Sequence, residues 1–220
     1  MEPKIIFEDQ HLIVVDKPAG LLSQGEKTGD MNLVDWLRQY WGRPYVGLVH
    51  RLDRNTSGVM IVAKRTKAAQ RLTDALQSDQ ITRSYLAWVM GKIEGEFDWK
   101  HFLLKNRTTN KTRVVRSGGN GAQEALLHAH ALKTALYQGK EITLLEIVLE
   151  TGRSHQIRAQ AAAEKHPLLG DIKYGARETV AFARPALHSH RIKFPHPMSQ
   201  EKLEFEAEIP LDFKSISKTL

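Results

Sequence analysis

The sequence predicts an α+β fold. Strand-like and helix-like segments interleave as far as Met90, a hairpin signature stands at Gln138-Gly139-Lys140, and no internal repeat or low-complexity tract divides the chain. Leu12 to Val15 is a short β-branched run closed by Asp16-Lys17-Pro18-Ala19-Gly20, a strand entering a tight turn. The next helix carries Leu33, Trp36, Leu37, Tyr40 and Trp41 at helical spacing, with Asp30 or Asn32 as its cap and Gly42 and Pro44 as its stop. Its aromatic stripe is expected in the core. Val59 to Ala63 reads as a second strand, and Thr66 is expected to cap a helix with Ala69, Leu72, Ala75 and Leu76 on one face. Tyr85 to Met90 alternates as a strand does before Gly91.

Lys105 to Arg116 lacks periodicity but carries five cations and leads into Gly118-Gly119-Asn120-Gly121, which predicts a mobile basic loop. Ala125 to Tyr137 is rich in Ala and Leu, yet the turn residues after it and the strand Ile142 to Leu149 favour a hairpin over a helix. Ser154 to Glu164 is expected to be a helix entered through Gly152.

Composition excludes several chemistries. In 220 residues there is no cysteine, which rules out disulfides, thiolate nucleophiles and Cys-ligated metal clusters, and accords with a reducing compartment. Met1 to Lys17 is interrupted by charges and resembles no signal peptide, and no later stretch has the length of a membrane span, so a soluble, cytoplasmic protein without membrane partners is expected. Thirty-two Lys and Arg against 25 Asp and Glu give a net charge of +7, which makes a polyanionic partner plausible without specifying one. The pairs His128/His130 and His188/His190 have strand spacing but no third ligand nearby in sequence, so no metal is expected.

The most informative stretch is His50-Arg51-Leu52-Asp53-Arg54-Asn55-Thr56-Ser57-Gly58, a charged segment leading directly into an apolar strand. Arginines near Asp53 in sequence would keep its carboxylate ionised, available as nucleophile or base. A turn aspartate, with Thr56 and Ser57 bonding the local backbone, satisfies the same pattern.

The stretch from His50 to Asp53, two variable positions, then Thr56-Ser57-Gly58 resembles the catalytic motif of RluA-type RNA pseudouridine synthases. Other segments resemble that family's remaining motifs in order: Asp16 to Leu21, the strand holding Tyr85, Thr151 to Arg158, Gly170-Asp171 with Tyr174-Gly175, and Leu187-His188 with Phe194, His196 and Pro197. Two positions depart from the pattern, Arg83 where lysine is usual and Gln160 where histidine is frequent.

The resemblance implies the pseudouridine synthase fold: one mixed, largely antiparallel central sheet in two lobes, with flanking helices and an active-site cleft. It implies a single catalytic domain over residues 1–220 without a separate N-terminal RNA-binding domain; a monomer without an obligatory protein partner is expected. Asp53 would be the catalytic aspartate, Tyr85 would pack on the target base, and Arg158 would pair with Asp53. Arg51, Arg54, Arg83, Arg153, His155 and Gln156 would contact RNA; the charges of Arg107, Lys111, Arg113 and Arg116, apart from any resemblance, fit either phosphate contacts or an idle solvated loop.

Isomerisation of uridine to pseudouridine gains and loses nothing, so no cofactor is expected. The RNA partner is ribosomal RNA or tRNA, the former favoured, and the uridine must leave its stack to be detached and rotated. An inactive RNA-binding module is opposed by the joint presence of Asp53, Tyr85 and Arg158. A glycosidic-bond hydrolase would release free uracil and is separable by its product.

Overall fold

The computed structural model describes residues 2–26, 29–116, 121–175 and 182–217. In chain order the elements are β1 (Lys4–Glu8), β2 (Leu12–Lys17), α1 (Leu33–Trp41), β3 (Gly47–Leu48), β4 (Ser57–Ala63), α2 (Thr66–Gln77), β5 (Thr82–Met90), β6 (Glu96–Asn106), β7 (Lys111–Val115), β8 (Gln123–Tyr137), β9 (Lys140–Leu149), α3 (Gln156–Ala163), β10 (Leu187–Pro195), β11 (Lys202–Glu206) and α4 (Leu211–Ser217). The fold is α+β, as expected. The chain forms two compact units, the first running to Arg83 and including His188–Ile209, the second running Ser84–Leu187 and resuming at Pro210.

In the first unit β2 pairs antiparallel with both β1 and β4. The strand β4 also pairs parallel with β10, which pairs antiparallel with β11, so this sheet is mixed. Every residue of β4 is buried, as is the run Leu12 to Val15, which is why both strands read as continuous apolar runs rather than alternating ones. Leu72 of α2 packs with Leu12, Val14, Val59, Ile61, Ile192 and Phe194 in the core.

Asn32 caps α1, accepting from the Asp35 amide at 3.1 Å, and left-handed Gly42 ends it. Only Leu33 and Leu37 of the helix are buried. The expected aromatic core is therefore corrected: Trp36 and Tyr40 stack on each other at 5.2 Å on the surface side, and Tyr40 and Trp41 donate to the Glu8 carboxylate. Their polar tips need partners that an apolar core does not supply. Thr66 is the first residue of α2, not its cap; Arg65 holds the cap position without a side-chain hydrogen bond.

The second unit is built on antiparallel pairings of β6 with β7 and β8, and of β8 with β9. The predicted hairpin is present as β8 and β9. Its turn residues Gln138 and Gly139 have φ of 49° and 76°, the left-handed pair that a tight two-residue hairpin requires. Leu86, Trp88, Ile142, Leu169, Phe213 and Ile216 form its core.

The basic loop is the main correction. Residues 105–116 form the end of β6, a turn and β7, a paired hairpin. Thr112 points inward while Lys111 and Arg113 are exposed, an alternation hidden in sequence because the single inward polar residue is a threonine. Gly118, Gly119 and Asn120 lie outside the described residues.

Candidate active site

Asp53 stands half-buried in the loop before β4, between two anchored neighbours. On one side, the Ser23 hydroxyl accepts from the Leu52 amide (3.1 Å) and donates to the Leu52 carbonyl (2.7 Å). On the other, the Arg54 carbonyl accepts from the Gly20 amide (2.8 Å) and from Lys17 Nζ (3.2 Å). Lys17 is 0% exposed, and its ammonium also donates to the carbonyls of Pro18 and Leu21. A buried ammonium is tolerated only when its donors are occupied, and here they fasten the turn at 17–21 to the aspartate loop. The loop then closes with Thr56 N donating to Asp53 O (3.0 Å).

The local alternative for Ser57 does not apply. Its hydroxyl bonds His188 Nδ1 at 2.9 Å, on the strand paired with β4. Gly58 lies opposite Ser189 in that parallel pairing, with φ of 116° and room for no side chain: a Cβ would stand 2.1 Å from Ser189 O. The last glycine of the motif is thus a packing requirement of the strand that carries the loop.

Arg158 is buried in α3. Its Nε and Nη2 donate to both oxygens of Asp171 at 2.7 and 2.8 Å, and its guanidinium lies 5.0 Å over the Tyr174 ring. This two-pronged pair fixes the guanidinium plane. Tyr174 joins three elements, because its hydroxyl accepts from Thr112 N (2.8 Å), bonds His155 Nδ1 (2.9 Å) and sits on the same ring that Arg158 covers. Burial raises the Tyr174 phenol above its usual range. Sequence reasoning placed Asp171 and Tyr174 in a motif but gave them no role.

The remaining predicted residues divide by environment. Tyr85 is buried within β5. Arg51 is exposed, and Arg54 is exposed beside Asp30 at 2.9 Å. Arg153 Nε donates to Glu124 O. The Gln156 amide is engaged structurally, accepting from Thr151 Oγ1 and Arg153 N and donating to Leu126 O. Arg107, Lys111, Arg113 and Arg116 are all exposed on the β6–β7 hairpin, and Lys111 Nζ also rests 5.4 Å from the Tyr174 ring. Gln160 ties α3 to the carbonyls of Trp99 and Ala125.

His128 and His130 face Asp98 and Glu96, their partners on β6, at 2.9 and 3.0 Å. His190 Nδ1 bonds Ala207 O. No helix among the described residues is long and apolar enough to cross a membrane.

A family model described as RNA pseudouridylate synthase matches residues 11–163. The chain belongs to this family. It is 37% identical to RNA pseudouridine synthase YlyB of Bacillus subtilis, covering 100% of this chain and 73% of that protein. It is 33% identical to the ribosomal large subunit pseudouridine synthase D of Vibrio parahaemolyticus, over 98% of this chain and 70% of the relative. Among solved structures, human RNA pseudouridylate synthase domain containing 1 superposes with a TM-score of 0.78 at 27% identity, covering 95% of this chain and 84% of its own. The pseudouridine synthase fold expected from the sequence is that of the family, and the protein is an RNA pseudouridine synthase, an isomerase.

Proposed function

We propose that this pseudouridine synthase modifies large-subunit ribosomal RNA with Asp53 as its catalytic carboxylate. The observation that carries the reading is the anchoring of Asp53: its neighbours on both sides are held through their backbones by Lys17, Gly20 and Ser23, leaving a half-buried carboxylate in a fixed place. A group that attacks a sugar or a base, or removes a sugar proton, gains from such pre-organisation. The relatives named for the large ribosomal subunit support ribosomal RNA over tRNA. In the reaction the bond from N1 to the ribose breaks, the extruded uracil turns, C5 joins the same sugar carbon, and the C5 proton leaves while N1 takes up a proton.

Mapping pseudouridine in ribosomal RNA and tRNA from cells with and without the protein tests the substrate. Loss of a site in large-subunit RNA is the expected result; loss confined to tRNA would move the substrate there, and release of free uracil would replace the isomerase reading with hydrolysis.

Tyr85 is assigned the base-packing role, with its hydroxyl positioned for the C5 proton. Tyr85→Phe should keep RNA affinity and stall product formation, whereas Tyr85→Ala should also weaken binding, by the roughly 1–3 kcal/mol that an aromatic–base stack contributes. Full turnover by the Phe variant would remove the hydroxyl from the chemistry.

The exposed cations of the β6–β7 hairpin are assigned to phosphate contacts. Replacing Arg107, Lys111, Arg113 and Arg116 together with Gln should weaken RNA binding and flatten its salt dependence, while single-turnover chemistry at saturating RNA changes less. An unchanged salt slope would assign these cations to solvated surface.

A further inference from the structure

The molecule holds several arginines that are mostly buried, and they are treated differently. Arg158 and Arg184 each grip a carboxylate with two prongs, Asp171 and Asp212 respectively. Arg83, only 8% exposed, has no hydrogen bond or ion pair among the described residues, and its Nε is shut off from solvent. Beside it stands His50, also 8% exposed. His50 Nε2 accepts from the Ile61 amide at 3.1 Å, so the proton of the neutral ring belongs on Nδ1, and that buried Nδ1 has no partner either. Burial, reinforced by the Arg83 cation, pushes this imidazole down to about 3, which keeps it a neutral donor at physiological pH.

We propose that Arg83 and His50 form a buried subsite for an RNA phosphate adjacent to the modified uridine. The proposal rests on the RNA substrate argued above and adds where one of its charges is bound. Two neighbouring donors, Arg83 Nε and His50 Nδ1, one of them cationic, lack any acceptor among the described residues. A buried guanidinium without an anion is strongly unfavourable, so a permanent structural role would call for a carboxylate like those of the other two arginines. A water or a uracil carbonyl would satisfy a hydrogen bond but leave the charge uncompensated; a phosphate oxygen does both.

The place in the chain fits a nucleotide flanking the reaction. Arg83 lies two residues before Tyr85 on β5, so strand alternation puts both on one face, and His50 lies three residues before Asp53.

The test compares wild type with Arg83→Met, which keeps much of the side-chain volume and removes the charge. Thermal melting is followed in inorganic phosphate and in chloride at matched ionic strength, and binding of a large-subunit RNA fragment is followed across salt. Phosphate should raise the melting temperature of wild type more than that of Arg83→Met. In chloride the variant should melt at the same temperature as wild type or higher, because an unpaired buried charge has gone. Its RNA affinity should fall roughly tenfold, in line with loss of a charged hydrogen bond, and its salt slope should drop by about 0.7 to 1.

Equal phosphate responses with equal salt slopes would overturn the subsite, as would a variant that melts well below wild type yet binds RNA normally. Should Arg83→Met fail to fold, Arg83→Lys decides: the charge alone should preserve the salt slope while the phosphate response shrinks, and a response equal to wild type would refute the two-donor site. The same melting comparison in Asp53→Asn separates the two readings, since phosphate binding there should persist whether or not pseudouridine forms.

Discussion

Asp53→Asn is expected to lower the single-turnover rate of pseudouridine formation by at least roughly three orders of magnitude while leaving folding and RNA affinity close to wild type. The substitution is nearly isosteric and removes the charge and the basic, nucleophilic oxygen together. The contacts to the backbone of Leu52 and Arg54, and that of the Asp53 carbonyl with Thr56 N, do not use the carboxylate and survive the change. The measurement is product yield with enzyme in excess over RNA, alongside melting and binding of the same preparation. A folded variant with wild-type rate would exclude Asp53 from the chemistry, and a defect confined to melting would make it a structural turn residue.

Asp171→Asn should act mainly through stability. Asp171 is 0% exposed and accepts both prongs of Arg158, so the amide removes the carboxylate charge that those two prongs meet. Breaking one side of such a pair costs about 3–5 kcal/mol, which in a chain of this size corresponds to a melting temperature lower by roughly 10 °C. The double change Arg158→Met with Asp171→Leu removes both charges and should recover a large part of that loss. If Arg158 also orients the catalytic carboxylate, as proposed from the family motif, the double variant should be stable yet inactive. A stable and fully active double variant would confine Arg158 to a packing role.

Features whose physics is local were legible in the sequence. The hairpin at Gln138-Gly139, the Asn32 cap and the strands around Leu12 and Val59 each depend on residues a few positions apart, and each is present. The order of motifs likewise identified the family, because it needs only sequence. What escaped depends on partners far along the chain. Nothing near Lys17 announces that its ammonium reaches Arg54, or that Ser23 brackets Leu52. Nothing in the sequence near Arg158 announces that Asp171 and the Tyr174 ring enclose it.

The hairpin over residues 105–116 was missed for a different reason. Period-two patterning is normally detected through apolar inward residues, and at Lys111-Thr112-Arg113 the inward residue is polar, held by Thr112 Oγ1 on Ser154 O and by its amide on Tyr174. The aromatics of α1 misled in the opposite direction, since hydrophobic spacing was read as depth while their polar atoms bind Glu8.

Lys17 ties its own turn to the aspartate loop by donating to carbonyl oxygens, those of Pro18 and Leu21 in the turn and of Arg54 in the loop. Every residue type presents the same carbonyl, so the clamp is indifferent to the side chains it passes over. The carbonyl acceptor at position 54 therefore survives any substitution there, whereas position 17 is restricted: no other side chain combines that reach with an ammonium's three donors.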